Sequence, residues 1–306
     1  MKKNILIISA LLLADSILIF GQESTNIKTK NENKPVKSTF ENQVLINNQT
    51  VENPPKKTLD FIIQHRFGVI KDEKDLFGLY APSNIRLGIT YGITDHLAVG
   101  IGATKNKHIY DLHWKYILLK QTKPKGIPVT VSYYGDLARS ASDRSNFINE
   151  DNTYNANDRF SYFHEVMVAR KVTTHFSIQA AVTYSYFNIV DSIMKEHAYT
   201  GISFAGRYQF TPQSSVIVDF DLPFTTYGIT TIIESSPASV TTLTKYYSKY
   251  NLGIGYEVAT SSHQFQIFVC SANGIINQEN RVFNTNDFFA KDGIIIGFNI
   301  TRQWGF

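Results

Sequence analysis

From Thr58 to Phe306 apolar and polar residues alternate one by one in run after run. Period two belongs to a strand whose two faces meet different surroundings, because successive side chains point to opposite sides. In the run 84–92, Ile85, Leu87, Ile89 and Tyr91 share one face, and Asn84, Arg86, Gly88 and Thr90 the other. Leu97, Val99, Ile101 and Ala103 repeat the pattern, as do Phe176, Ile178, Ala180, Val182 and Tyr184. A water-soluble sandwich would load the polar row with Lys and Glu. These rows carry mainly Gly, Ser, Thr, Gln and Ala, which suits the crowded interior of a closed barrel whose other face meets lipid.

The expected strands are 58–67, 84–92, 97–104, 109–120, 127–136, 159–171, 175–187, 198–210, 214–222, 247–258, 263–271 and 293–306. They are about twelve, the even number that bacterial single-chain barrels use. Short connections (93–96, 122–126, 173–174, 211–213, 261–262) alternate with long ones (68–83, 137–158, 188–197, 223–246, 272–292), with 105–108 as a short exception among the long. The fold class predicted is therefore all-β: a closed antiparallel transmembrane β-barrel with short periplasmic turns, longer external loops and both chain ends on the periplasmic side. The composition agrees, since 17 Tyr and 21 Phe against 3 Met favour strands and membrane interfaces.

Ahead of the barrel, Lys2 and Lys3 followed by the apolar stretch Ile5–Phe20 and the small residue Gly21 have the order of a cleaved secretory leader. Residues 1–21 are read as a signal peptide, 22–57 as a flexible periplasmic segment and 58–306 as the barrel, which predicts export to the outer membrane. The 22–57 stretch is rich in Asn, Lys, Thr, Glu and Gln, too polar to build a core of its own. Phe40 and Val44-Leu45-Ile46 are exceptions that could dock on the barrel or form a short strand. The single cysteine, Cys270, excludes an internal disulfide and a cysteine zinc site. A net charge of +4 without a basic block argues against a nucleic-acid partner. No cofactor is expected.

The stretches Phe61-Ile62-Ile63-Gln64-His65-Arg66-Phe67-Gly68, Phe77-Gly78-Leu79-Tyr80-Ala81-Pro82-Ser83-Asn84-Ile85-Arg86-Leu87-Gly88, Tyr91-Gly92-Ile93-Thr94-Asp95, Ala169-Arg170-Lys171 and Gly297-Phe298-Asn299-Ile300-Thr301-Arg302 stand out along the chain. Together they resemble an outer-membrane β-barrel family of unknown function found in Bacteroidota. The resemblance runs from Phe40 to Phe306 and implies a barrel in the outer membrane. It transfers no catalytic residue.

With apolar rows facing lipid, the opposite rows carry charges into the lumen. The candidate lumen-lining residues are Arg66, Arg86, Asp111, His113, Lys115, Glu165, Arg207, Asp219, Asp221, Lys249 and Glu257, with Asp60, Asp136 and Lys171 beside them. Their signs nearly cancel, whereas a selective pore shows one dominant sign at its constriction. Balanced bulky groups fit either a weakly selective channel or a lumen closed by paired charges. The functional expectation is thus a narrow, weakly selective passive channel or transport component for small solutes, and not an enzyme. The alternatives are a structural or adhesive surface barrel and, remotely, a barrel lipid hydrolase, for which His175, Ser177 and Asn188 offer spacing alone. The long Ser140–Asp158 and Thr225–Thr244 connections could bind external partners.

The last run places Ile294, Ile296, Phe298, Ile300, Trp304 and Phe306 in one register, which resembles the C-terminal signal read by the outer-membrane assembly machinery, the second expected partner besides outer-membrane lipid. Deleting Phe306 should leave exported but unfolded protein, visible as loss of heat-modifiable mobility on an unboiled gel. Normal folded levels of the truncated chain would remove the terminal aromatic from this reading.

Overall fold

The structure is a computed structural model that describes residues 34–71, 74, 76, 78–122, 126–148, 152–189, 196–224 and 248–306. The leader and the Thr225–Thr244 stretch lie outside these residues. Two very short strands, β1 (Val44–Leu45) and β2 (Asn48–Gln49), precede twelve longer ones. These are β3 (Thr58–Val69), β4 (Asn84–Gly92), β5 (Leu97–Thr104), β6 (Ile109–Leu119), β7 (Thr130–Ser140), β8 (Phe160–Lys171), β9 (Phe176–Phe187), β10 (Ala198–Gln209), β11 (Ser214–Pro223), β12 (Asn251–Ala259), β13 (His263–Cys270) and β14 (Ile295–Gly305). Each pairs antiparallel with its sequence neighbours, and β14 closes on β3 from Gly305↔Thr58 to Ile295↔Val69. Closure leaves no strand edge, which is how a sheet satisfies its backbone in hydrocarbon.

Two strand boundaries moved for local reasons. The run expected at 127–136 begins at Thr130, beyond Pro128, whose missing N–H cannot serve a ladder, and continues to Ser140 opposite Ile109. The run expected at 247–258 begins at Asn251, because the Lys249 amide donates to Asn284 O instead of to a strand.

The alternation survives in the burial of individual side chains. Along β9, Phe176, Ile178, Ala180, Val182 and Tyr184 point outward, while Ser177, Gln179, Ala181, Thr183 and Ser185 are buried inward. Tyr91, Tyr116, Phe176, Tyr208 and Phe210 stand outward near the short-turn end, in the position of an aromatic interfacial girdle.

The interior is a packed core rather than a bore. Residues 34–57 enter at the short-turn end, where Val36 N donates to Gln121 O, and leave it where Lys57 N donates to Gly92 O. Between these points the chain climbs into the lumen and turns back through the β1–β2 hairpin. Phe40, Leu45, Ile46 and Val51 form one buried cluster with Tyr134, Phe163, Met167, Ile217, Phe268 and Cys270 of the wall. This corrects the reading of 22–57 as a flexible lead-in for the described part: the segment has no core of its own but completes the barrel's. Docking on the barrel and forming a short strand, posed as alternatives for Val44-Leu45-Ile46, both occur.

From the opposite end, the connection after β13 also folds inward. It carries a short helix, Asn277–Val282, whose Gln278, Asn280, Arg281 and Val282 are buried, and Ile276 packs with Ile109 and Ala138.

The outward rows generate a depth rule. Arg in place of Ile101 or Val182, two mid-strand positions that are 59% and 60% exposed, should destabilise the barrel by ~2–4 kcal/mol. Arg in place of Tyr208, near the short-turn rim, should cost about 0–1 kcal/mol. Urea titration of the refolded barrel in bilayers reads the difference, and equal costs at both depths would reverse the assigned orientation of the rows.

Candidate functional site: a lumen closed from both ends

The inward rows of β3, β4, β6, β8, β10, β11 and β12 place Arg66, Arg86, Asp111, His113, Lys115, Glu165, Arg207, Asp219, Asp221 and Glu257 inside the barrel, all buried. Asp60 and Asp136 join them, and Lys171 sits half-buried at the short-turn mouth. Lys249 does not: it lies in the connection before β12, 41% exposed, with its Nζ 3.5 Å from Asp287. Its expected place on the inward row depended on a strand that starts two residues later. The cation that reaches the lumen instead is Arg281, on the helix of a connection read as external.

These groups form separate knots. On one side Arg86 Nε donates to Asp111 Oδ1 at 2.9 Å and Nη1 to Gln64 Oε1 at 3.1 Å. His113 bridges Asp111 Oδ2, 3.1 Å from Nδ1, and Thr90 Oγ1, 3.0 Å from Nε2. Arg207 Nε donates to Glu257 Oε1 at 2.7 Å, and its Nη2 makes a purely ionic contact of 3.2 Å with Glu41. Arg281 spans Glu165 and Asp221, each at 3.1 Å. The pairs thus join strands on one side of the wall, or wall to inserted segment. Inserted chain occupies the space between the walls, beside the paired charges that the sequence suggested.

Two buried cations are held by the hairpin itself. Arg66 is fully buried and donates to Ile46 O at 3.0 Å, Asn47 Oδ1 at 2.9 Å and Asn299 Oδ1 at 3.1 Å, with Phe268 beneath its guanidinium. Lys115 Nζ donates to Gln43 O at 3.1 Å and Glu52 O at 3.0 Å. Both ammonium and guanidinium therefore take backbone carbonyls of the inserted segment as acceptors, since a charge away from water must be hydrogen-bonded.

The wall in turn fixes the hairpin. Ile46 N donates to Gln266 Oε1, Asn47 N to Asp219 Oδ2 and Val51 N to Gln179 Oε1, at 3.0–3.1 Å. Ile46 has φ +53°, an outlier for a β-branched residue costing on the order of 1–3 kcal/mol. Its carbonyl accepts from both Arg66 and Asn299, so the turn is held from either side. A Cβ at Gly253 would meet the Asp219 carboxylate and come within 2.8 Å of the Ile46 methyl. Only glycine lets the turn lie that close to the wall. Lower in the segment, burial pushes the Glu52 carboxyl above its ordinary range, and the Thr39 and Phe40 amides that donate to it pull it back.

The two inserted segments meet where Arg281 Nη2 donates to Asn48 Oδ1 at 2.8 Å. Sequence reasoning missed Arg281 and the apolar inward residues Phe163, Met167, Ile217 and Phe268. The latter were legible: Phe163 and Met167 flank Glu165 on its own inward row. An apolar pair there requires an apolar partner inside the barrel.

The hydrolase spacing does not become a triad. His175 is exposed at a short turn with Nδ1 3.0 Å from Gln209 O, Ser177 is buried inward, and Asn188 lies past the far end of β9, donating to Asn157 O. Among the described residues no three His, Cys, Asp or Glu side chains are grouped to hold a metal ion.

Cys270, fully buried beneath the hairpin, is a native reporter of docking. Arg66→Ala removes charge-assisted hydrogen bonds worth about 1.5–3 kcal/mol each. Since every ~1.4 kcal/mol is tenfold in population, labelling of Cys270 by a hydrophilic maleimide should accelerate at least about tenfold. Unchanged labelling in a folded Arg66→Ala barrel would mean that Arg66 does not hold the hairpin.

No curated protein matches the chain. Among solved structures, the NanC porin superposes with a TM-score of 0.48 at 9% identity, covering 81% of this chain and all (100%) of that one. An outer membrane channel from Pseudomonas putida F1 gives 0.48 at 10% identity over 82% and 97%, and the KdgM porin 0.44 at 7% over 81% and 99%. Residues 40–304 match the model of the membrane bound beta barrel domain family DUF5777. With the match beginning at the buried Phe40 and ending in the closing strand, the chain belongs to this family of membrane-bound β-barrels.

Proposed function

We propose that the protein is a narrow passive channel of the outer membrane, closed at rest by its own N-terminal hairpin and by the inward-folded connection after β13. The observation that carries this reading is the contact of Arg281 with Asn48, where segments entering from opposite mouths join in the lumen. A barrel with no need of a lumen would be expected to fill it with wall side chains, as eight-stranded barrels do. Here twelve strands enclose a wider space lined with charged and amide groups, and the chain itself stoppers it. Glu165 Oε2 and Asp219 Oδ1 are buried with no hydrogen-bond partner among the described residues; such atoms are satisfied by water, which supports hydration around the inserted chain. The near-balance of the inward charges supports weak ion selectivity.

The apolar cluster around Phe40, Leu45 and Ile46 favours a second reading, a structural or surface-binding barrel, because each such side chain buried contributes ~1.5–3 kcal/mol toward keeping the hairpin docked. Planar-bilayer recording of the mature protein separates the two. Unmodified protein should show small, infrequent openings. Arg207→Ser, which removes the cation between Glu257 and Glu41, and Arg281→Ala, which removes the donor to Asn48 Oδ1, should each raise open probability several-fold, and Arg86→Ser should act in the same direction more weakly because Arg86 binds wall groups only. A large, steady conductance in unmodified protein would refute the closed lumen; silence in every variant would favour the structural role.

A further inference from the structure

At the long-connection mouth a recess of about 290 Å³ opens between the β5–β6 turn and the inward-folded connection. That volume is on the order of ten liquid water molecules, enough for one sugar ring and part of a second. Its two walls are tied together by one buried side chain: Asn84 Nδ2 donates to Asn273 O at 3.3 Å, and Asn84 Oδ1 accepts from Asn106 N at 3.1 Å. The recess is therefore built before any ligand arrives, which lowers the cost of binding.

We propose that this recess captures a small, uncharged, hydroxyl-rich solute. The recess's charges are already spent on each other: Lys107 Nζ is 2.8 Å from Glu279 Oε1 and lies 4.8 Å from the centre of the Phe283 ring. With the two charges cancelling, an ionic ligand of either sign meets no net counter-charge there. The groups left over are neutral. Among the described residues the side-chain amides of Asn106 and Asn273 and the hydroxyl of Thr285 line the recess without a hydrogen-bond partner. Each amide offers both donors and an acceptor, the combination that vicinal hydroxyls answer, and Phe283 adds one apolar flank to the recess. The chemistry selects polyols over acids, amines and apolar solutes. This names the solute class for the channel reading and rests on that reading for its role in transport, though not for binding.

The test uses the mature, folded barrel in detergent and saturation-transfer NMR with glucose, sucrose, glucuronate and glucosamine as probes. Glucose or sucrose should bind more tightly than the two charged sugars. Asn106→Leu and Asn273→Leu, each checked for heat-modifiable mobility, should weaken binding about fivefold apiece, the fold-change of one neutral hydrogen bond of about 1 kcal/mol. Thr173→Val, at the opposite mouth, should leave binding unchanged. No saturation transfer to either neutral sugar, equal or tighter binding of the charged ones, or affinity indifferent to both Asn substitutions would overturn the proposal. Neutral-sugar binding by a barrel that stays silent in every bilayer recording would keep the capture site and discard the channel.

Discussion

In hydrocarbon a backbone amide or carbonyl has no partner but another part of the chain, and this requirement organises everything else in the molecule. It is met when β14 pairs with β3 and the sheet loses its edges. Closure also decides what lies nearest the lumen. The Phe306 amide donates to Lys57 O, and Lys57 N to Gly92 O, so the chain ahead of β3 is delivered to the short-turn mouth. Tethered there, residues 39–52 compete for the interior at the high effective concentration of an intramolecular segment.

What that segment finds is a wall shaped for it. Phe163, Met167, Ile217 and Phe268 would meet water in an empty barrel; against Phe40, Leu45 and Ile46 they form a dry contact. Ordering the segment's backbone costs roughly 1–2 kcal/mol per residue, more than its few buried apolar side chains return at ~1.5–3 kcal/mol each. The balance therefore falls to polar contacts: Gln266, Asp219 and Gln179 on the hairpin's amides, Arg66 and Lys115 on its carbonyls. A closure held this way is specific in register and sensitive to the loss of single partners.

The charged groups divide by the kind of acceptor they use. Arg86, Arg207 and Arg281 face carboxylates, whereas Arg66 and Lys115 face carbonyls and amide oxygens of neighbouring chain. The first kind stiffens the wall or joins it to an inserted segment through charge. The second reads the backbone of the hairpin: without it Lys115 would lose the Gln43 and Glu52 carbonyls, and Arg66 would keep only His65 O and Asn299 on the wall. Arg281 does both, since its guanidinium also reaches Asn48, and so couples the outer connection to the inner hairpin.

The alternation of single residues was enough to place the strands, the two faces and most of the inward charges, because side-chain direction in a strand has period two whatever surrounds it. The spans 84–92 and 97–104 coincide with β4 and β5, and Arg86, Asp111 and Glu165 fall inward as their rows dictate. Lys249 and Arg281 exchanged roles, since a connection carries no periodicity from which direction can be read. Residues 39–52 were beyond reach for a related reason: too polar to form a core alone, they acquire one only from a wall assembled out of β7, β8, β11 and β13, strands distant in sequence. Local pattern determined the barrel. What fills it was decided by contacts that exist only after the sheet has closed.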